Sequence, residues 1–197
     1  MDVDLAVYHF LNQFAGQMPI VDAVMSFFAQ YALELYAVLF VIAWFTLPKK
    51  EFNKRHALVV AGVAGILALL LNVVISHVWY RPRPFVTLDE GTYTKLIPHD
   101  ADASFPSDHT SGSFAFAFGA KGRTQKWVST SFMIIAVIVM IARVYCGVHY
   151  PTDVLASVVV GFVASKVAWK FSPLILPVTR LGCRLFGFER TSQSATK

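Results

Sequence analysis

Charge is scarce in this sequence. Charged residues make up 15% of its 197 positions and hydrophobic ones 56%, whereas soluble globular domains run at about 25% charged. That balance points away from a soluble domain and towards a membrane protein. Lys and Arg are absent from residues 1–48, so the basic n-region of a cleavable signal peptide is missing. Cysteine is almost absent. Cys146 and Cys183 are the only two, and the topology derived below sets them near opposite faces, too far apart to bridge. The formal net charge of +5 does not announce a nucleic-acid partner, because no nucleic-acid motif accompanies it. Lys49, Lys50, Lys54 and Arg55 form one basic cluster, and Lys121, Arg123 and Lys126 a second. Lys170, Arg180, Arg184, Arg190 and Lys197 form a third. Each flanks a hydrophobic run, as positive-inside anchors do.

Apolar runs of spanning length are plentiful. The pattern predicts membrane spans over about 30–47, 57–79, 107–120, 127–146 and 152–170. Residues 2–15 place Leu5, Tyr8, Phe10, Leu11 and Phe14 at roughly helical intervals, which predicts an interfacial amphipathic helix before the first span. Gly16 breaks that helix and Pro19 restarts the chain. Residues 173–188, with Pro177 and several arginines, read as a surface-lying helix rather than a sixth span. The expected fold is an all-α integral membrane protein, one domain over 1–197. It is a bundle of five transmembrane helices, or six if 173–188 spans, with amphipathic helices at both termini. Five spans put all three basic clusters on one side, which the charge rule makes cytoplasmic. The run 107–120 is short, and its Ser111, Gly112, Ser113 and Gly119 suit close packing between other helices.

The unusual polar residues all fall at the opposite, outer ends of the spans. Arg81 and Arg83 sit on a chain stiffened by prolines, and guanidinium forks suit phosphate oxygens. Taken alone, they read more readily as a juxtamembrane arginine pair facing lipid headgroups. Arg143 lies inside an apolar run, where it needs an anionic partner. Pro151 suits the first position of a helix, with His149 at its N-terminus. Asp153, four residues on, is in reach of the His149 ring, where a carboxylate would fix the tautomer. In FPSDHT, Ser107 is a good N-cap, and Asp108 and His109 fall in the first turn. His109 is a candidate general acid or base. A metal site using His149 and Asp153 is the weaker alternative, because the nearby arginines repel a cation.

Arg83-Pro84, Pro106-Ser107 with His109, and Arg143 followed by His149 and Asp153 resemble the three-part signature of the type 2 phosphatidic acid phosphatase superfamily. The blocks lie within residues 76–153. The variant FPSDHT is most similar to bacterial undecaprenyl-diphosphatases of the bacitracin-resistance type. The chain departs from the pattern at Ser76, where a lysine is usual, at Ala142, where a serine is usual, and at Asp108, where a glycine is usual. The resemblance implies that His149 attacks the terminal phosphorus and forms a phosphohistidine, with Asp153 orienting it. Arg83, Arg143 and Ser107 would hold the phosphoryl oxygens, with Arg81, Ser76 and Asp108 as further phosphate contacts. His109 would protonate the leaving oxygen and then activate water. Asp108 is expected to point at Arg81 or at Mg²⁺ carried by a diphosphate. His77 and Glu34 are additional candidate substrate contacts, and Glu34 reads equally as an interfacial residue. No resident metal or cofactor is required, and no protein partner is implied. The expected activity is hydrolysis of undecaprenyl diphosphate at the outer face of a bacterial plasma membrane. The alternatives are phosphatidate or phosphatidylglycerophosphate hydrolysis, or passive lipid binding or transport. The loop 85–104 reads as a solvated connection rather than a lid.

Overall fold

The computed structural model describes residues 3–188, so Asp2 at the start of the first predicted helix and the cations Arg190 and Lys197 lie outside them. The described residues form nine α-helices and no strand. They are α1 (Val3–Asn12), α2 (Pro19–Gln30), α3 (Ala32–Thr46), α4 (Phe52–Val78) and α5 (Pro84–Thr87), then α6 (Asp108–Ala120), α7 (Lys126–Tyr145), α8 (Pro151–Lys170) and α9 (Ser172–Leu185).

Three of these, α4, α7 and α8, are long and apolar enough to cross a membrane. A fourth candidate is the pair α2 and α3, bent by 73° at their junction. By length and composition the described residues therefore hold three or four candidate spans, and the expected count of five, or six, is not reached by that measure. The difference lies in two places. The first expected span, 30–47, corresponds to α3, whose 15 residues reach spanning length only together with α2 across the bend at Tyr31. The third, 107–120, is a helix of 13 residues, about 20 Å long at 1.5 Å per residue against a hydrocarbon core of about 30 Å.

That short helix occupies the centre of the bundle. Nine of its residues are buried, including Thr110, Ser111 and Ser113. Small residues let its neighbours approach: a Cβ on Gly119 would sit 2.8 Å from the Ala61 Cα of α4. A Cβ on Gly161 of α8 would sit 2.8 Å from both the Ala115 nitrogen and the Ser111 oxygen of α6. Helices meet this closely in membranes because packing, not water exclusion, drives their association. The outer surface is apolar, with Ile66, Leu70 and Val74 exposed along α4 and Leu155, Val159 and Phe162 along α8.

At the basic end, Arg55 is fully buried and caps α3. It donates to the carbonyls of Trp44 at 3.2 Å, Leu47 at 2.5 Å and Pro48 at 2.8 Å, where a helix end leaves acceptors unsatisfied. One predicted surface anchor is thus a structural cap. Helix α9 buries Ile175, Thr179 and Cys183 at intervals of four, and Thr179 meets His56 of α4 at 2.9 Å. Cys146 and Cys183 are both free and buried.

Candidate active site

The polar residues gather at the end of the bundle opposite the basic clusters, around His149. This residue lies in the turn between α7 and α8, next to Gly147 at φ +77°. A Cβ on Gly147 would collide with the Thr94 carbonyl, so the turn requires glycine. The His149 side chain is 1% exposed. Its Nδ1 lies 2.7 Å from the Ser104 carbonyl oxygen. Its Nε2 lies 3.1 Å from Arg83 Nη1 and 3.2 Å from Arg143 Nη2. A guanidinium can only donate and a carbonyl only accept. This hydrogen-bond pattern therefore assigns the proton to Nδ1 and leaves a lone pair on Nε2. Burial, with Arg143 and Arg83 alongside, pushes the imidazole well below its ordinary pKa. A buried neutral imidazole with a lone pair between two cations has what a nucleophile for an anionic centre needs.

The two arginines are positioned by backbone oxygens and one acid. Arg83 donates to the Val148 carbonyl at 2.9 Å and from Nε to Asp102 at 2.6 Å. Arg143 donates to the Ala29 carbonyl at 2.7 Å, while its buried Nε has no hydrogen-bond partner. The bend between α2 and α3 explains the Ala29 contact, because an interrupted helix leaves its last carbonyls free. His109 takes the next carbonyl, since its ring is hydrogen-bonded to the Gln30 backbone. A cavity of ≈ 320 Å³ opens here, lined among others by Gln30, His99, His109 and Arg143.

Asp153 is placed differently from the expectation. Its Oδ2 is 3.8 Å from His149 Nδ1, too far for a hydrogen bond. It accepts instead from the Ser104 hydroxyl at 2.5 Å and the Tyr150 N–H at 2.9 Å. Asp153 and His149 are joined through Ser104, whose hydroxyl holds the acid and whose carbonyl holds the ring. Arg81 is engaged by protein groups. It donates to Asp153 at 2.8 Å, to Asp4 of α1 at 2.8 Å and to Thr152 at 2.7 Å, so its guanidinium is paired with two carboxylates. Burial lowers its pKa, but the paired Asp4 and Asp153 outweigh that and raise it.

Ser107 caps α6 as expected, accepting from the Thr110 N–H at 3.5 Å and from the Thr110 hydroxyl at 3.1 Å. Its own N–H donates to Ser157 of α8 at 2.8 Å. Asp108 is exposed and does not reach Arg81. It accepts from Asn72 of α4 at 2.8 Å, and Asn72 in turn accepts from Ser111 at 3.2 Å. Ser76 and His77 are not brought to the site. Both bond the Val73 carbonyl of their own helix, at 3.0 and 2.6 Å. Glu34 is exposed in the first turn of α3.

The loop 85–104 is exposed over much of its length, as a solvated connection would be, yet it is anchored to the site. Ile97 and Ser104 are buried, the Thr94 amide bonds Asn12 at 2.8 Å, and the His99 ring packs edge-on 6.3 Å from His149. Burial, then Arg83 and Arg143, push His99 down to about 4, which keeps a second neutral imidazole over the cavity. Ser104, His99 and Asn72 were not marked by any sequence spacing.

This geometry has close relatives. Residues 57–176 match the pattern of the PAP2 superfamily. The undecaprenyl-diphosphatase BcrC of Bacillus subtilis is 36% identical over 167 residues, which are 85% of this chain and 83% of that protein. The crystal structure of Aquifex aeolicus LpxE superposes with a TM-score of 0.69 at 22% identity, covering 86% of this chain and 96% of the other. The transmembrane PAP2-type phosphatidylglycerolphosphate phosphatase of Bacillus subtilis gives a TM-score of 0.60 at 21% identity, covering 89% of each chain. The two solved structures share the fold. The matched pattern runs from α4 into α9 and includes every residue that touches the His149 ring. The chain belongs to the PAP2 superfamily of phosphatases.

Proposed function

We propose that the protein is a membrane phosphatase that converts undecaprenyl diphosphate to undecaprenyl phosphate and inorganic phosphate. The observation that carries the chemistry is the His149 Nε2 lone pair held between Arg83 and Arg143 at 3.1 and 3.2 Å. The lipid is taken from the relationship to the Bacillus subtilis diphosphatase.

In the first step Nε2 attacks the terminal phosphorus. An N–P bond forms, the bridging P–O bond breaks, and its electron pair leaves on the lipid monophosphate. Nδ1 keeps its proton against the Ser104 carbonyl. The ring gains positive charge, which Asp153 balances through the Ser104 hydroxyl. Arg83 and Arg143 take the phosphoryl oxygens as charge spreads over them. In the second step water attacks phosphorus and gives a proton to His109. The N–P bond breaks, phosphate leaves and the lone pair returns to Nε2. The first leaving group is a phosphate, whose second pKa of about 6 lets it depart with less help than an alkoxide. His109 therefore acts chiefly in the second step.

The two guanidiniums supply the positive charge that a metal supplies in other phosphatases, so no resident metal is needed. Mg²⁺ brought by the diphosphate is compatible, with the exposed Asp108 as its contact. The site faces outward from a bacterial plasma membrane, where the carrier lipid is released after cell-wall polymerisation. Activity there would lower sensitivity to bacitracin, which sequesters the diphosphate.

The test is phosphate release from undecaprenyl diphosphate by purified protein in detergent with a strong chelator present. Release is expected for the native chain, with a loss of about 10³-fold or more for His149→Ala. Release that survives the substitution would refute the nucleophile. Faster turnover of phosphatidate than of the diphosphate would refute the substrate.

A further inference from the structure

The end of the bundle opposite His149 carries a second cavity of ≈ 320 Å³, walled by Phe118, Lys121, Arg123, Phe162, Lys166 and Trp169. Helical register brings these side chains together. Phe162, Lys166 and Trp169 stand four and three residues apart on α8, and Phe118 and Lys121 stand three apart at the end of α6, so each set shares a face. The Trp169 indole donates to the Gly119 carbonyl at 2.9 Å, which ties α8 to α6. The Arg123 guanidinium lies 3.9 Å over the Trp169 ring, and the Lys166 ammonium lies 5.1 Å from the Phe162 ring centre. Such contacts hold a cation in place without neutralising it.

Among the described residues no ion pair joins Lys121, Arg123 or Lys166 to an acid. Glu51 is the one acid that the described residues place at this end, and it pairs with Lys54 at 2.9 Å. Positive-inside anchoring requires only that cations lie near span ends. It does not require three of them, from two elements, to converge on one aromatic-walled cavity. Their positive charge is left open to an anion supplied from outside the described residues.

The location selects its kind. The cavity lies where the apolar spans α7 and α8 begin and end, the part of a span that meets the headgroup region. Lys and Arg match phosphate oxygens, and basic pockets between spans suit anionic headgroups. Phe118 and Phe162 give an apolar wall for the first carbons of the attached chains. A volume near 300 Å³ is at the lower end for small-ligand sites. We infer that this cavity binds the phosphate headgroup of an anionic membrane lipid. The occupant bridges α6, which carries His109, and α8, which carries Asp153.

Native mass spectrometry of the full chain in micelles doped with phosphatidylglycerol or phosphatidylcholine tests this. Phosphatidylglycerol retention is expected to weaken about fivefold for each cation removed, first in Lys166→Gln and then with Arg123→Gln added. Phosphatidylcholine retention and phosphate release from farnesyl diphosphate should be unchanged, the latter reporting that the variants fold. Equal phosphatidylglycerol retention in the native chain and both variants would overturn the inference. Displacement of the lipid by inorganic phosphate would overturn it too, because the cavity would then be a free-anion site.

Discussion

At the scale of residues, the site is organised to keep one imidazole nitrogen unprotonated beside two positive charges. Arg83 and Arg143 repel each other, and each is steadied by carbonyl oxygens, so a phosphoryl dianion between them relieves repulsion as it binds. Ser104 connects this centre to its acid. Its hydroxyl donates to Asp153 at 2.5 Å while its carbonyl accepts from His149 at 2.7 Å. Ser104→Ala removes the first contact and keeps the second. A hydrogen bond to a charged group is worth about 1.5–3 kcal/mol, so kcat should fall by about tenfold or more with KM little changed, and Ser104→Thr should restore most of the loss. Unchanged turnover in the alanine variant would show that Asp153 does not act through this hydroxyl. The sequence could not show the Ser104 contact, because the partner is 45 residues away and the ring meets a backbone carbonyl, a group that every residue type carries. His149, His109, Arg83 and Arg143 were legible because their side chains are costly at membrane depth and need a reason to be there.

At the scale of elements, the N-terminal helix does more than lie at an interface. Asp4, in the first turn of α1, accepts from the Thr152 N–H at 2.9 Å, the Thr152 hydroxyl at 2.7 Å and Arg81 at 2.8 Å. It thereby joins α1 to the start of α8 and to the arginine that steadies Asp153. Burial alone would raise the Asp4 carboxyl, but Thr152 and Arg81 hold it below its ordinary value. A depressed carboxyl stabilises the fold above its unfolded pKa and loses that contribution as pH falls through the folded value. Asp4→Asn should therefore lower thermal stability near neutral pH by about 1–3 kcal/mol. The gap to the native chain should close below about pH 4, as followed by thermal unfolding in detergent. A gap that persists in acid would contradict the ionic role. The helix itself was legible from its apolar spacing, whereas its docking was not, since Asp4 and Thr152 are 148 residues apart. The bend at Tyr31 falls where the first expected span begins, but α2 and α3 are both apolar, so composition gives no sign of the 73° angle between them.

At the scale of the whole molecule, the two ends of the bundle have opposite chemistry. One holds His149 with Asp4, Asp102, Asp108 and Asp153; the other holds Arg55, Lys121, Arg123 and Lys166. This polarity was plain in the sequence, because cation placement follows span ends directly. The span count was less plain, because the 13 residues of α6 are apolar for burial inside the bundle and not for contact with lipid. The charge bias predicts that Glu90→Cys, at the end bearing the site, reacts with an impermeant maleimide on intact cells. Lys50→Cys should react only after permeabilisation. Labelling of Lys50→Cys in intact cells would reverse the orientation. The central claim, that His149 Nε2 carries the phosphoryl group, is tested most directly by rapid quench of His109→Ala with terminally labelled undecaprenyl diphosphate. The account predicts a base-stable, acid-labile phosphoryl label on His149 that decays more slowly than in the native chain. Stoichiometric phosphate release with no label on His149 at any time would contradict it.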